Sequence, residues 1–122
     1  MKLNKMILLG AVCLLATSVN AESGGKMKGS VQNAITLKKE GKTVEPIFTG
    51  PFKVMGIGLM KGQKLEKHQT PTAAFLYVQS GGVLFSMNGK KESLQAGDFF
   101  SIPAKELHEV EASEDSRLML IK

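Results

Sequence analysis

The chain has 122 residues, of which 43% are hydrophobic and 22% are charged, and its formal net charge is +5. A chain of this length predicts one folded domain. Its basic residues form no stripe interleaved with aromatic side chains, which argues against nucleic acid as a partner.

The first predicted element is an export signal over residues 1–21. Lys2 and Lys5 give a positive start, residues 6–16 are apolar, and small residues precede a predicted cleavage after Ala21. The apolar run is shorter than the roughly 18–20 residues of a membrane-spanning helix. We therefore predict a secreted or periplasmic protein with no membrane span after processing.

The only cysteine, Cys13, falls within this leader. The processed domain would therefore contain no disulfide and would depend on its hydrophobic core for stability. Residues 22–30 are rich in glycine and serine and predict a flexible lead-in. The folded domain is predicted to occupy residues 31–122.

The rest of the chain predicts short strands separated by turns. Strands are predicted at residues 31–37, 44–49, 52–60, 64–70, 73–79, 83–87, 90–94, 99–102, 107–111 and 117–121. Asn88 and Gly89 between two of them predict a tight hairpin. Gly56 and Gly58 within a strand indicate either a bend or the close approach of another backbone. Because no stretch has a sustained helical period, the fold class is all-β, a sandwich or barrel.

Two histidines stand where these elements would hold them firmly. His108 follows Pro103, whose ring stiffens the preceding turn. In the strand predicted at residues 64–70, regular alternation would place Glu66, His68 and Thr70 on one face.

The spacing of glycines, proline and histidines resembles the two sequence motifs of the cupins. The first motif is matched by Gly62, His68 and Gly81, and the second by Gly97, Pro103 and His108, with Lys105 in place of its usual second glycine. The resemblance implies a double-stranded β-helix, the jelly-roll barrel of that family. It also implies a homodimer, because small cupins commonly pair through their sheet edges.

The resemblance further implies a divalent metal such as Fe, Mn, Zn or Ni, but two of the family's four ligands are missing. His68 and His108 remain, whereas Thr70 stands in place of the second histidine and Ala74 in place of the glutamate. Stable sites for these metals generally use at least three protein ligands. Glu66 would complete a set of two histidines and one carboxylate if its strand is regular.

Two main hypotheses about function follow. In the first, an exported cupin binds a small molecule, such as a sugar or a carboxylate, in a pocket with or without a weakly held metal; this pocket would contain Glu66, His68, Thr70, Ala74 and His108. In the second, the chain is a metal-dependent oxygenase, isomerase or lyase that uses His68, His108 and Glu66. A third hypothesis is a structural or partner-binding unit whose pocket has no remaining role.

Overall fold

A computed structural model describes residues 27–122, and the predicted leader lies outside the described residues. One short helix, α1, and nine strands occur in this part of the chain. In chain order they are α1 (Val31–Ala34), β1 (Thr43–Thr49), β2 (Lys53–Leu59), β3 (Lys64–His68), β4 (Ala74–Ser80), β5 (Gly82–Met87), β6 (Lys90–Gln95), β7 (Phe99–Ile102), β8 (His108–Ala112) and β9 (Ser116–Ile121). In this part of the chain no helix has both the length and the apolar character needed to cross a membrane.

The strands form two antiparallel sheets that enclose one core. The five-stranded sheet has the order β1-β2-β9-β4-β7, and the four-stranded sheet has the order β3-β8-β5-β6. Buried side chains from both sheets form a single hydrophobic cluster, among them Ile57, Leu76, Phe85, Val110 and Leu118. This arrangement confirms the predicted all-β fold with the double-stranded β-helix architecture.

The predicted hairpin is confirmed at Asn88 and Gly89. Both residues have positive φ, 53° and 76°, as a two-residue turn that follows the strand twist requires. Met87 and Lys90 form the pair that flanks the turn, so the loop fixes the register of β5 against β6.

The prediction of a strand at residues 31–37 is wrong, because this segment begins with the helix α1. The amides of Asn33 and Ala34 donate to the carbonyl of Ser30, at 3.1 Å and 2.8 Å. Ile35 follows the helix and is only 2% exposed. The segment thus buries one apolar side chain against the sheet instead of adding a strand to its edge.

Gly56 and Gly58 in β2 accommodate this segment. A Cβ atom at Gly56 would lie 2.7 Å from the Ile35 side chain, and one at Gly58 would lie 2.6 Å from the Thr36 carbonyl oxygen. Of the two explanations for glycine within this strand, the close approach of another backbone is confirmed at Gly58, whereas at Gly56 the side chains of Ile35 and Ile47 occupy the space.

Candidate functional site

The fold brings the two histidines together as partners on neighbouring strands. His68 at the end of β3 pairs with His108 at the start of β8. Their ring centroids are 4.5 Å apart, with 59° between the ring planes. The two imidazoles therefore form one local site although 40 residues separate them in the sequence.

The turn before β8 positions His108. Lys105 has a φ of +65°, and its amide donates to the carbonyl of Thr70 at 2.8 Å. His108 then enters the interior, where it is 4% exposed and stacks at 5.8 Å on the ring of Phe85. His68, in contrast, is exposed, so the pair joins a buried imidazole to one that faces solvent.

The hydrogen bonds of the two rings define which nitrogen carries the proton. Nδ1 of His68 lies 2.8 Å from the carbonyl oxygen of Glu66, and Nδ1 of His108 lies 2.9 Å from that of Glu106. Because a carbonyl oxygen can only accept, each Nδ1 must be the donor. In the neutral rings each Nε2 therefore keeps its lone pair, and neither Nε2 has a hydrogen-bond partner within residues 27–122.

The surroundings of His108 favour its neutral form. Burial lowers the pKa of His108 below the ordinary value, and the nearby His68 lowers it further. The hydrogen bond to the Glu106 carbonyl acts in the opposite direction, because it favours a protonated ring.

A β-bulge separates Glu66 from the histidine pair. Leu65 pairs with Val110 and His68 pairs with His108, so β3 has one residue more than β8 between these two pairs. Leu65 and His68 consequently share the inner face, and the regular alternation predicted for residues 64–70 is wrong here. The Glu66 carboxylate instead lies 3.5 Å from the Lys42 ammonium, and its own backbone amide and Lys42 lower the pKa of Glu66.

Thr70 and Ala74 serve the packing around the histidines. The Thr70 hydroxyl donates to the carbonyl of Thr72 at 2.8 Å, and Thr70 is buried. Ala74 belongs to the hydrophobic core and pairs with Ile102 of β7. Of the five residues predicted for a pocket, Glu66, His68 and Thr70 line one cavity. His108 contacts the ring of His68 but does not line that cavity, and neither does Ala74.

This cavity has a volume of about 420 Å³ and opens beside His68. Its walls come from β1, β2, β3 and β9, and its rim carries charged side chains. The lining residues are Lys42, Val44, Met55, Ile57, Leu65, Glu66, Lys67, His68, Thr70, Leu120 and Lys122. A second depression, of about 470 Å³, lies along the four-stranded sheet; Met87 is among its lining residues, and neither histidine is.

The apolar walls of this cavity were not predicted from the sequence. Val44, Met55 and Leu120 come from three separate strands, and each reads locally as an ordinary core position. Only the pairing of β2 with both β1 and β9 brings them together.

Comparison with known families decides which family this fold represents. A family model described as "Cupin domain" matches residues 57–121, which include the end of β2, all of β3 through β9 and both histidines. The chain belongs to the cupin family. No curated protein matches the sequence of this cupin.

Solved structures share the fold of this cupin at low sequence identity. A cupin superfamily protein from Desulfitobacterium hafniense is 10% identical, with a TM-score of 0.71 over 80% of this chain and 91% of the other. An RmlC-like cupin from Desulfovibrio desulfuricans is 19% identical, with a TM-score of 0.70 over 79% and 95%. A protein with a double-stranded β-helix domain from Klebsiella pneumoniae is 20% identical, with a TM-score of 0.71 over 79% and 88%.

The side chains of this cupin do not fit the divalent centre that its family implies. His68 and His108 provide two imidazoles, but the bulge directs Glu66 toward Lys42. No group of three His, Cys, Asp or Glu side chains converges anywhere in residues 27–122. A zinc, iron or manganese dication bound by the two histidines would therefore lack a third protein ligand.

Proposed function

We propose that this cupin is an exported binding protein that holds a small molecule in the cavity lined by His68, the exposed member of the histidine pair. The observation that carries the proposal is the cavity of about 420 Å³, which opens at the one place where the fold pairs two histidines. Its volume falls within the range of about 300–1,000 Å³ that is typical of small-molecule sites. The export part of the proposal rests on the leader pattern of residues 1–21.

The walls and the rim of the cavity favour an apolar carboxylic acid as the ligand. Val44, Met55 and Leu120 offer an apolar surface of the kind that binds a hydrocarbon body. The rim carries three lysines, of which only Lys42 is paired, with Glu66, among the ion pairs of residues 27–122. The rim therefore has an excess of positive charge that would attract a carboxylate.

His68 suits this class of ligand because its Nε2 is unpaired in the described residues. Nδ1 already donates to the Glu66 carbonyl, so the imidazolium form of the ring offers Nε2 as a second donor to a carboxylate at the rim. A polyol would use the same nitrogen differently, since its hydroxyl groups would donate to the lone pair of the neutral ring. The positive rim favours the carboxylate over the polyol.

Thermal unfolding with two probes tests the proposal. We expect octanoate to raise the melting temperature and glucose to have no effect. A ligand present at about 100 times its dissociation constant adds about 2.7 kcal/mol to the free energy of unfolding. Isothermal titration calorimetry with octanoate then gives the affinity and the stoichiometry, which we expect to be one molecule per chain.

A matched pair of variants locates the site. Val44→Asp places a carboxylate in the cavity wall and should abolish octanoate binding. Ile47→Asp is the control on the same strand, because Ile47 packs over Gly56 on the outer face and does not line the cavity. Equal binding by the two variants, or no response to octanoate in the unsubstituted protein, would contradict the proposal. Stabilisation by glucose alone would also contradict the carboxylate as the ligand class.

A further inference from the structure

The outer face of the five-stranded sheet carries most of the aromatic side chains that the core leaves out. Four of the six phenylalanines lie outside the hydrophobic core and are between 37% and 58% exposed; they are Phe48, Phe52, Phe75 and Phe99. Single exposed apolar side chains are common on protein surfaces, whereas a contiguous group marks an interaction site. The question is therefore whether the four rings are contiguous.

Strand pairing joins two of these rings into one row across the sheet. Phe48 of β1 pairs with Val54 of β2. On β9, Ile121 pairs with Val54 on one side and with Phe75 of β4 on the other. Directly paired residues project from the same face of a sheet. This face is the outer one, because Ile121 alternates along β9 with Leu120, which packs against the core.

The other two rings extend this row at its ends. Phe52, in the turn between β1 and β2, has its ring centroid 4.9 Å from that of Phe48. The ring of Phe99 on β7 stacks on that of Phe75, with 5.0 Å between centroids. We call this surface the aromatic row, and its members are Phe52, Phe48, Val54, Ile121, Phe75 and Phe99. It is contiguous across all five strands of the sheet.

Lysines flank the end of the aromatic row that lies at the β1–β2 turn. Lys53 follows Phe52, and the backbones of Lys53 and Lys122 exchange hydrogen bonds of 2.6 Å and 2.9 Å. Both lysines are exposed. The five strands of this sheet contain one acidic side chain, that of Glu45 on the edge strand β1. The aromatic row is thus free of acidic side chains and has two ammonium groups beside it.

These charges decide between two kinds of partner. A second copy of this chain would bring the same lysines to the contact, and the aromatic row offers no carboxylate to pair with them. An anionic bilayer supplies negative headgroups for the lysines and an apolar layer beneath them for the rings. The composition of the surface therefore favours lipid over self-association.

We propose that the aromatic row docks this cupin on an anionic lipid bilayer. The rings of Phe48 and Phe52 enter the boundary between headgroups and acyl chains, and Lys53 and Lys122 contact the headgroups. The strength of such binding grows with the apolar area that is buried and with the attraction to anionic lipids. Each lysine near the surface contributes about fivefold to the affinity.

Docking also brings the cavity lined by His68 close to the lipid. Lys122 lines this cavity and is hydrogen-bonded to Lys53 beside the aromatic row. An apolar carboxylic acid partitions into bilayers, so the rim of the cavity lies near a source of that ligand. This step rests on the proposed function, whereas the docking itself does not.

Single-tryptophan reporters test the docking on the full chain, which contains no tryptophan of its own. Leu8→Asp and Leu14→Asp are present throughout, so that the apolar residues 6–16 cannot bind lipid themselves. Vesicles of phosphatidylcholine alone are compared with vesicles that also contain phosphatidylglycerol. With the anionic vesicles, the emission of Phe52→Trp should shift to shorter wavelength, and lipids with brominated acyl chains should quench it.

Leu107→Trp is the matched control. Leu107 is 52% exposed and Phe52 is 49% exposed, but Leu107 lines the depression along the four-stranded sheet. The emission of this control should neither shift nor be quenched. Equal responses of the two reporters, or no response of Phe52→Trp to anionic vesicles, would overturn the proposal.

A second pair of variants tests the charge in the Phe52→Trp reporter. Lys53→Gln should weaken the affinity for anionic vesicles about fivefold. Lys61→Gln should leave it unchanged, because Lys61 is an exposed lysine beyond the opposite end of β2. Equal affinities of these two variants, or equal affinities for neutral and anionic vesicles, would refute the choice of an anionic bilayer.

Two further measurements separate this proposal from the other possibilities. In sedimentation velocity without lipid, Phe52→Ser should leave the oligomeric state unchanged; dissociation of a dimer by this substitution would assign the aromatic row to a second copy and overturn the proposal. Phe52→Ser should still bind soluble octanoate, and the Phe52→Trp reporter should still respond to vesicles when it carries Val44→Asp. A failure of the octanoate site and a failure of the docking are therefore separate results.

Discussion

Lys105→Gly should stabilise this cupin, although it removes a side chain. Lys105 has a φ of +65°, a conformation in which a residue with a Cβ atom is strained by about 1–2 kcal/mol. Glycine adopts the same conformation without that strain, but it loses about 0.5–1 kcal/mol more backbone entropy on folding. The hydrogen bond from this amide to the Thr70 carbonyl does not involve the side chain and is retained. The net expectation is a gain of about 0.5–1 kcal/mol.

Urea denaturation and differential scanning calorimetry measure this gain, which corresponds to an increase of about 2–8 °C in the melting temperature. Lys61→Gly is the control, because Lys61 is also an exposed turn residue but is not among the positive-φ residues of the described chain. The control should lose stability from the added freedom of the unfolded chain. Equal losses in the two variants would refute the claim that the backbone of Lys105 is strained.

Three further predictions concern the core, the covering segment and the histidine pair. Ser116→Ala should cost about 1–3 kcal/mol of unfolding free energy in urea denaturation, because it leaves the buried amide of Gly82 without the hydroxyl that accepts from it at 3.0 Å. Gly58→Ala should cost about 1–3 kcal/mol, because the new Cβ would lie 2.6 Å from the Thr36 carbonyl oxygen; calorimetry should show a lower melting temperature, and an unchanged one would contradict the close packing of this segment. Burial lowers the pKa of His108 in the folded protein below its ordinary value of 6.5. As the pH is lowered from about 8 through 6.5, the unfolded chain therefore binds a proton at His108 before the folded protein does, and the free energy of unfolding should fall. This decline should be smaller in His108→Gln when urea denaturation is repeated across the same pH range, and an equal decline in both proteins would contradict it.

Features encoded within a few neighbouring residues could be predicted from the sequence. The Asn88-Gly89 hairpin depends on two residues that tolerate positive φ, and both adopt it. The turn before His108 depends on the ring of Pro103 and on the backbone of Lys105, and the left-handed φ of Lys105 explains why the cupin motif ordinarily has glycine at this place. Such local signals were sufficient to predict most of the strands, whereas the approach of His108 to His68 was predicted from the resemblance to the cupin motifs.

Features set by contacts between distant strands could not be predicted in this way. Nothing within Lys64–His68 indicates that β3 carries an additional residue opposite β8, because a bulge is defined by two strands. The same limitation applies to Ile35. It lies in a run of residues that resembles a strand, but its side chain packs on the sheet where Gly56 has no Cβ atom. In both places the tertiary partner overrides the local pattern.

Thr70 and Ala74, at two of the family's ligand positions, have packing roles and provide neither an imidazole nor a carboxylate. The Thr70 hydroxyl is engaged by the Thr72 carbonyl, and the Thr70 carbonyl holds the turn that positions His108. Ala74 fills part of the core opposite Ile102, where a carboxylate would be buried among apolar side chains. Neither position therefore supplies a metal ligand. The donor set that the cupin motifs ordinarily provide is thus reduced to the imidazoles of His68 and His108, and Glu66 does not restore it, because the bulge in β3 places its carboxylate beside Lys42.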